Sequence, residues 1–255
     1  MSSNVTREAL LQAFDGLLQP ARFKDYGPNG LQVEGRSAVR KIVSGVTASR
    51  ALIEAAIDSD ADAIFVHHGL FWRGQSGCVT GWMKQRLALL LAHDINLYAY
   101  HLPLDAHAEL GNNAQLGTHL GLSATTRFGE QELGFIGGRS DGDSFSSTES
   151  LAQHLEYKLN RPVIHAGRAQ AAIKNIAWCS GGAQGYFESA IAAGADAFIT
   201  GEISEPQAHY AREMGVAFLA CGHHASERYG APAAAAHVAA QLGLMHQFID
   251  IDNPA

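Results

Sequence analysis

At 255 residues the chain is long enough for one large or two ordinary domains, and 47% hydrophobic against 17% charged residues rules out a disordered polymer. A formal net charge of -7 disfavours a non-specific nucleic-acid binder, which would be basic. Three scattered cysteines (Cys78, Cys179, Cys221) are too few for a disulfide framework or a thiolate zinc cage, and read as small core residues in a reduced compartment.

The first residues lack the basic start and apolar stretch of a signal peptide. No apolar run approaches the roughly 20 residues of a membrane span, so a cytoplasmic protein is expected. Residues 6–18 place Leu10, Leu11, Phe14, Leu17 and Leu18 at helical spacing behind Thr6 as N-cap. A Pro- and Gly-containing loop over 25–33 follows, with polar residues that could face a site. Residues 41–47 read as a buried strand, 48–59 as a helix, and 61–66 as a second buried strand ending at His67, His68 and Gly69. A helix over 82–93 and a strand over 95–100 come next, leading to His101 and Asp105. Alternating strands and helices imply a parallel or mixed sheet covered on both faces, with ligands at the carboxyl ends of the strands.

The second half repeats the first. Residues 174–182 resemble 40–48, 190–202 resemble 56–68, and 216–221 echo 95–100. Leu-Gly-Leu closes both units, at 120–122 and 242–244. The repeated order favours an internal duplication giving two interlinked α/β units of mixed sheets flanked by helices, divided as 1–124 and 125–255. Between the repeats, 137–150 reads as a surface loop, and 150–160 as a helix capped by Ser150.

The chemistry-bearing residues are His67, His68, Asp105, His223 and Glu227. Each is expected just past a strand end, and His with carboxylate suits zinc, iron or manganese at neutral pH. His223 and Glu227 share one face if their turn is helical; the alternative is a polar surface face. Five donors exceed what one tetrahedral zinc needs, and a carboxylate can bridge two cations, Glu227 being the best candidate. Two cations about 3.5–4 Å apart serve hydrolysis. His101 reads either as a proton mover near the site or as a buried His bonded to backbone. Glu202 occupies the second-repeat position of His68 and could act as a base, orient a ligand or sit on the surface. His107 and His224 are the nearest competitors for ligand positions. Phe71 and Trp72 could stack on a base, but core packing is the commoner role. The 181–185 glycine-rich turn is read as a tight strand–helix connection rather than a phosphate cradle.

Four segments carry a resemblance: residues 25–35 (DYGPNGLQVEG), 63–72 (AIFVHHGLFW), 101–105 with 111–116 (HLPLD, GNNAQL), and 222–228 (GHHASER). Together they resemble the YbgI / NIF-three-like family, type-two homologues of GTP cyclohydrolase I, over essentially the whole chain and in its short bacterial form. The resemblance implies a dinuclear centre of two divalent metal ions per chain (Zn, Fe, Mn or Ni). His67, His68, Asp105, His223 and Glu227 are its ligands, and Glu227 touches both metals. It also implies a toroidal homohexamer built as a trimer of dimers. The leading expectation is a metal-dependent hydrolase of a purine nucleotide, by GTP cyclohydrolase-like ring opening or hydrolysis of damaged nucleotides, with His101 or Glu202 moving protons. The alternatives are a non-catalytic metal-binding ring that binds partner proteins or single-stranded nucleic acid, and an acid–base enzyme without metal.

Overall fold

The computed structural model describes residues 5–167 and 172–255. The chain forms two compact units. One comprises Met1–Gly111 with Gly230–Asp252, and the other Asn112–Tyr229 with Asn253–Ala255. Where the sequence suggested a boundary at 124/125, the chain leaves the first unit at Gly111 and re-enters it at Gly230.

The first unit is built on a five-stranded sheet in the order Met245–Phe248, Lys41–Thr47, Ala63–His68, Asn96–Ala99, Gly30–Val33. The first four strands run parallel and the last pairs antiparallel. The central strands are buried along nearly their whole length, as expected of strands covered on both faces. One face carries the helices Arg7–Leu18 and Gly230–Leu242, which bury Leu10, Phe14, Ala231, Ala234, Ala235 and Val238 against Ile42, Phe65 and Tyr98. The small alanines let the second helix lie close to the sheet. The other face is packed by Arg50–Asp58 and Gly81–Ala92, through Leu52, Ile53, Met83 and Leu90 against Val43, Ile64 and Leu97.

Local signals set the helix starts. Thr6 Oγ1 accepts from Ala9 N (3.1 Å), and Ser49 Oγ from Leu52 N (3.1 Å), each satisfying a first-turn donor. In the second unit the helix Thr148–Leu159 is capped by Ser147 rather than Ser150. Ser150 is the reciprocal member of a capping box, its hydroxyl accepting from Ser147 N.

The second unit holds a six-stranded sheet in the order Leu122–Phe128, Gly134–Arg139, Ile176–Trp178, Ala197–Thr200, Ala217–Ala220, Ile164–Ala166. Its three central parallel strands match those of the first unit. Its core gathers Leu116, Leu151, Leu155, Ile176, Trp178, Ile199 and Leu219.

The duplication is written into backbone detail. Asp62 Oδ2 accepts from Arg40 N and Lys41 N, and Asp196 Oδ2 accepts from Lys174 N and Asn175 N. Tyr100 N donates to Val66 O as Cys221 N donates to Thr200 O. In each repeat a five-residue helix follows the third parallel strand: Leu102–Ala106 in one, His223–Glu227 in the other. The long helix after each belongs to the opposite unit, Asn112–Leu120 to the second and Gly230–Leu242 to the first. This exchange interlinks the units. No helix among the described residues is long and apolar enough to cross a membrane.

Candidate metal-binding residues

In the first unit the donors collect at the carboxyl ends of the parallel strands, as the topology of open α/β sheets favours. His67 and His68 are the last residues of their strand rather than the first of a loop, and their rings lie 4.4 Å apart between centroids. Neighbours in a strand point to opposite faces, and as the last two residues of the strand both histidines stand at the same end of the sheet. His67 is fully buried. Its Nδ1 donates to the carbonyl of Tyr100 (3.2 Å), which fixes the tautomer and leaves Nε2 as the donor atom, 3.5 Å from Asp105 Oδ1. His68 Nδ1 is bonded to Thr47 Oγ1 (3.1 Å), so Nε2 is the ring nitrogen that could serve as a metal donor. Asp105, expected in a loop, lies in the short helix Leu102–Ala106, where Pro103 occupies the first turn.

His101 lies beside these residues. Its ring lies 4.9 Å from that of His67 and 5.7 Å from that of His68, and one ring nitrogen from each of the three falls within 4.8 Å of the others. His101 is held by a residue that sequence reasoning passed over. Asp25 Oδ1 accepts from His101 Nδ1 (2.7 Å) and Tyr26 N (2.6 Å), while Oδ2 accepts from Asn29 Nδ2 and Leu102 N (both 2.9 Å). Asn29 Oδ1 in turn accepts from His101 N (2.7 Å). Burial pushes the Asp25 carboxyl up, but the His101 hydrogen bond and charge, with Asn29 and the Tyr26 amide, outweigh it and hold the group below its usual range. The polar loop over 25–33 was the available signal. Trp72 meets the His101 ring edge-on at 5.0 Å, and Phe71 packs on the core.

In the second unit, His223 and Glu227 do lie on one turn of helix. His223 Nε2 is 3.2 Å from Glu227 Oε2, and Nδ1 is 2.6 Å from Glu202 Oε1. Glu202 is thus hydrogen-bonded to His223. The Glu227 hydrogen bond carries His223 up to about 9; burial opposes this, and the charges of Glu227 and Glu202 reinforce it. Glu227 is buried while Glu202 is exposed. The glycine-rich turn is a packing device, as expected. Gly181 N–H donates to Ser226 Oγ (2.8 Å), and its carbonyl accepts from Gly201 N (2.9 Å) and Thr200 Oγ1 (3.1 Å). Gly181 has φ of +68°, and a Cβ there would overlap Glu227 Oε1, so glycine is what lets the carboxylate sit where it does.

Of the two competing histidines, His224 donates its backbone N–H to Ala255 O (3.1 Å). His107 Nδ1 accepts from Leu110 N (3.0 Å) and ties a turn, while His154, His119 and His246 bond Leu120 O, Lys158 O and Ser44 Oγ.

Duf34/NIF3 (NGG1p interacting factor 3) matches residues 5–254. The chain belongs to the DUF34/NIF3 family. Among curated DUF34/NIF3 relatives, a "GTP cyclohydrolase 1 type 2 homolog" of Neisseria meningitidis serogroup A is 51% identical over 98% of this chain and 100% of its own length. One of the same name from Pseudomonas aeruginosa is 46% identical over 98% and 99%. A solved structure described as "protein ybgI, unknown function" superposes with a TM-score of 0.94 at 45% identity, covering 98% of this chain and all of its own.

The donor types fit a divalent cation. Imidazoles with fixed tautomers and carboxylates suit zinc, iron, manganese or nickel better than magnesium or calcium, which prefer all-oxygen shells.

Proposed function

We propose that the protein is a metal-dependent hydrolase acting on a purine nucleotide, by ring opening or by hydrolysis of a damaged nucleotide. His67, His68, Asp105, His223 and Glu227 would hold two divalent cations, with Glu227 touching both. The single observation that carries the reading is the ordered donor chemistry. In each unit one imidazole, His67 or His223, is oriented through Nδ1 by a carbonyl or a carboxylate and has Nε2 next to a carboxylate oxygen. The curated relatives' name supports a nucleotide substrate.

When bound, such cations polarise a substrate oxygen and lower the pKa of water. The chain's own groups do the rest. Asp25 fixes the proton on His101 Nδ1, so Nε2 is the atom that accepts or returns a proton. Glu202 restrains the His223 ring. Trp72, edge-on to His101, offers an aromatic face beside the imidazoles on which a purine can stack. The protein would act in the cytoplasm as a toroidal homohexamer, which native mass spectrometry tests directly.

The test is product analysis of metal-loaded protein with GTP and oxidised nucleotides, using Glu227→Ala as control. Turnover by the parent chain that is lost in the variant supports the hydrolase. No product from either protein would sink it and leave a non-catalytic assembly that binds partner proteins or single-stranded nucleic acid.

A further inference from the structure

At the other end of the first unit's sheet lies a second concavity. Lys41 opens one parallel strand, and Asp62 and Ile95 immediately precede the next two. They mark the amino ends of strands whose carboxyl ends carry His67, His68 and His101. A six-residue strand spans about 20 Å, so the two regions are separate. The concavity has a volume of about 470 Å³, within the range of small-molecule sites.

Its wall is cationic. Arg36, Arg40 and Lys41 contribute three positive charges against Asp60 and Asp62, with His93 beside them. Asp62 is buried and saturated: Oδ1 accepts from Arg36 Nη1 (2.9 Å) and Oδ2 from the amides of Arg40 and Lys41. Arg36 is further tied to the carbonyls of His93 (2.7 Å) and Asp94 (3.2 Å). Lys41 Nζ donates to Ser59 O (2.6 Å) and keeps two further N–H groups. Arg40 approaches Asp62 only at 3.6 Å through Nε, and among the described residues no hydrogen bond engages the terminal amino groups of its half-exposed guanidinium. Ile57 and the exposed Met245 supply an apolar flank.

The internal repeat shows what folding requires at this place. Asp196 cinches Lys174 N and Asn175 N just as Asp62 cinches Arg40 N and Lys41 N. The carboxylate is therefore the structural element common to both halves. The pair Arg40 and Lys41 becomes Lys174 and Asn175 in the second repeat, which holds one cation in place of two. The second cation of the pair is not needed for the strand junction itself, which forms in both repeats through backbone amides.

We propose that this cleft is a binding site for a small organic phosphate, its phosphoryl group held by Arg40 and Lys41 and its organic part lying on Ile57 and Met245. A guanidinium with both amino groups unengaged matches a phosphoryl group bidentately, and the adjacent ammonium adds a point charge. The volume exceeds what a bare phosphate fills, and the apolar flank gives the remainder a surface. The site is independent of the hydrolase reading and needs no metal.

Binding of guanosine monophosphate, ribose 5-phosphate and inorganic phosphate to the full chain, in the presence of a chelator, tests this by calorimetry and by NMR shifts around Met245. The expected result is saturable binding, tighter for the organic phosphates than for inorganic phosphate. Arg40→Gln should weaken it at least tenfold, and Glu227→Ala should leave it unchanged. Arg40 is surface-placed, so the variant should keep the parent's unfolding midpoint; Met245→Lys, on the apolar flank, gives a second handle that should weaken organic phosphates selectively. Equal affinity in parent and Arg40→Gln, or binding abolished by Glu227→Ala, would overturn the assignment. So would equal affinity for all three probes, which would leave only a generic anion patch.

Discussion

Gly181→Ala isolates one methyl group at the point where fold and donor set meet. The residue has φ of +68°, and its added Cβ would overlap Glu227 Oε1. An L-residue in the left-handed region costs about 1–2 kcal/mol. Forcing a buried carboxylate out of a packed position costs about 1–3 kcal/mol more. The variant should therefore lose about 2–5 kcal/mol of stability. Because Glu227 is paired with His223 at 3.2 Å, its displacement should also lower divalent-cation affinity about 10–100-fold, the range seen when groups that position metal ligands are altered. Gly182→Ala is the internal control. It lies one residue on and is exposed, its backbone is not left-handed, and a Cβ would come no closer than 3.6 Å to Glu202 or His223. It should change stability by less than about 0.5 kcal/mol. Urea unfolding of the metal-free proteins and calorimetric titration with zinc or manganese read both quantities. If the two variants unfold and bind alike, the account of how Glu227 is placed is wrong.

Asp25→Asn removes one of two charged oxygens that together accept four hydrogen bonds, and should cost about 1–3 kcal/mol and alter the His101 tautomer, visible in the imidazole ¹⁵N shifts. Since the Asp25 carboxyl is held below 3.8, the stability it contributes is present above that pH and lost as pH falls through the lower folded value; the Asn variant should lose that part of the acid sensitivity, and an unchanged acid profile would count against the bond network. Tyr98 is buried with its hydroxyl donating to Arg7 O, and burial raises it far above 10, so its contribution is complete below pH 10 and declines as pH rises beyond. Absorbance titration near 295 nm should show Tyr98 ionising only with unfolding, and a fully reversible titration of all seven tyrosines near pH 10 in folded protein would contradict this. Cys78 is exposed, whereas Cys179 and Cys221 are buried and the Cys221 thiol is pushed up to about 12, so a disulfide reagent should label one thiol in native protein and three in urea.

Much of this molecule was legible because its signals were strong and local. Continuous apolar runs fixed the parallel strands, and Thr6 with spaced leucines marked the first helix to within a residue. Asp62 and Asp196, aligned by the repeat, proved to make the same pair of bonds. What escaped was non-local. Nothing in the order of residues says that Asn112–Leu120 and Gly230–Leu242 pack outside the repeats that encode them, because amphipathic patterning names a buried face but not its partner. The end of the second strand was set two residues early, at residue 66, since His67 and His68 belong to the strand despite their polarity. Asp25 was hidden for the same reason as the helix exchange: its partners lie 76 and 77 residues away, at His101 and Leu102.

The helix exchange bears on how the protein is made. The first unit's core includes Ala231, Ala234, Ala235 and Val238, which leave the ribosome after Asn112–Tyr229, nearly all of the second unit, has been synthesised. The first 111 residues must therefore wait, with Phe14, Phe65 and Tyr98 incompletely covered, while the intervening segment folds. A nascent chain stalled before residue 230 should be a preferred client of holding chaperones, and release from them should coincide with emergence of the alanine-rich helix.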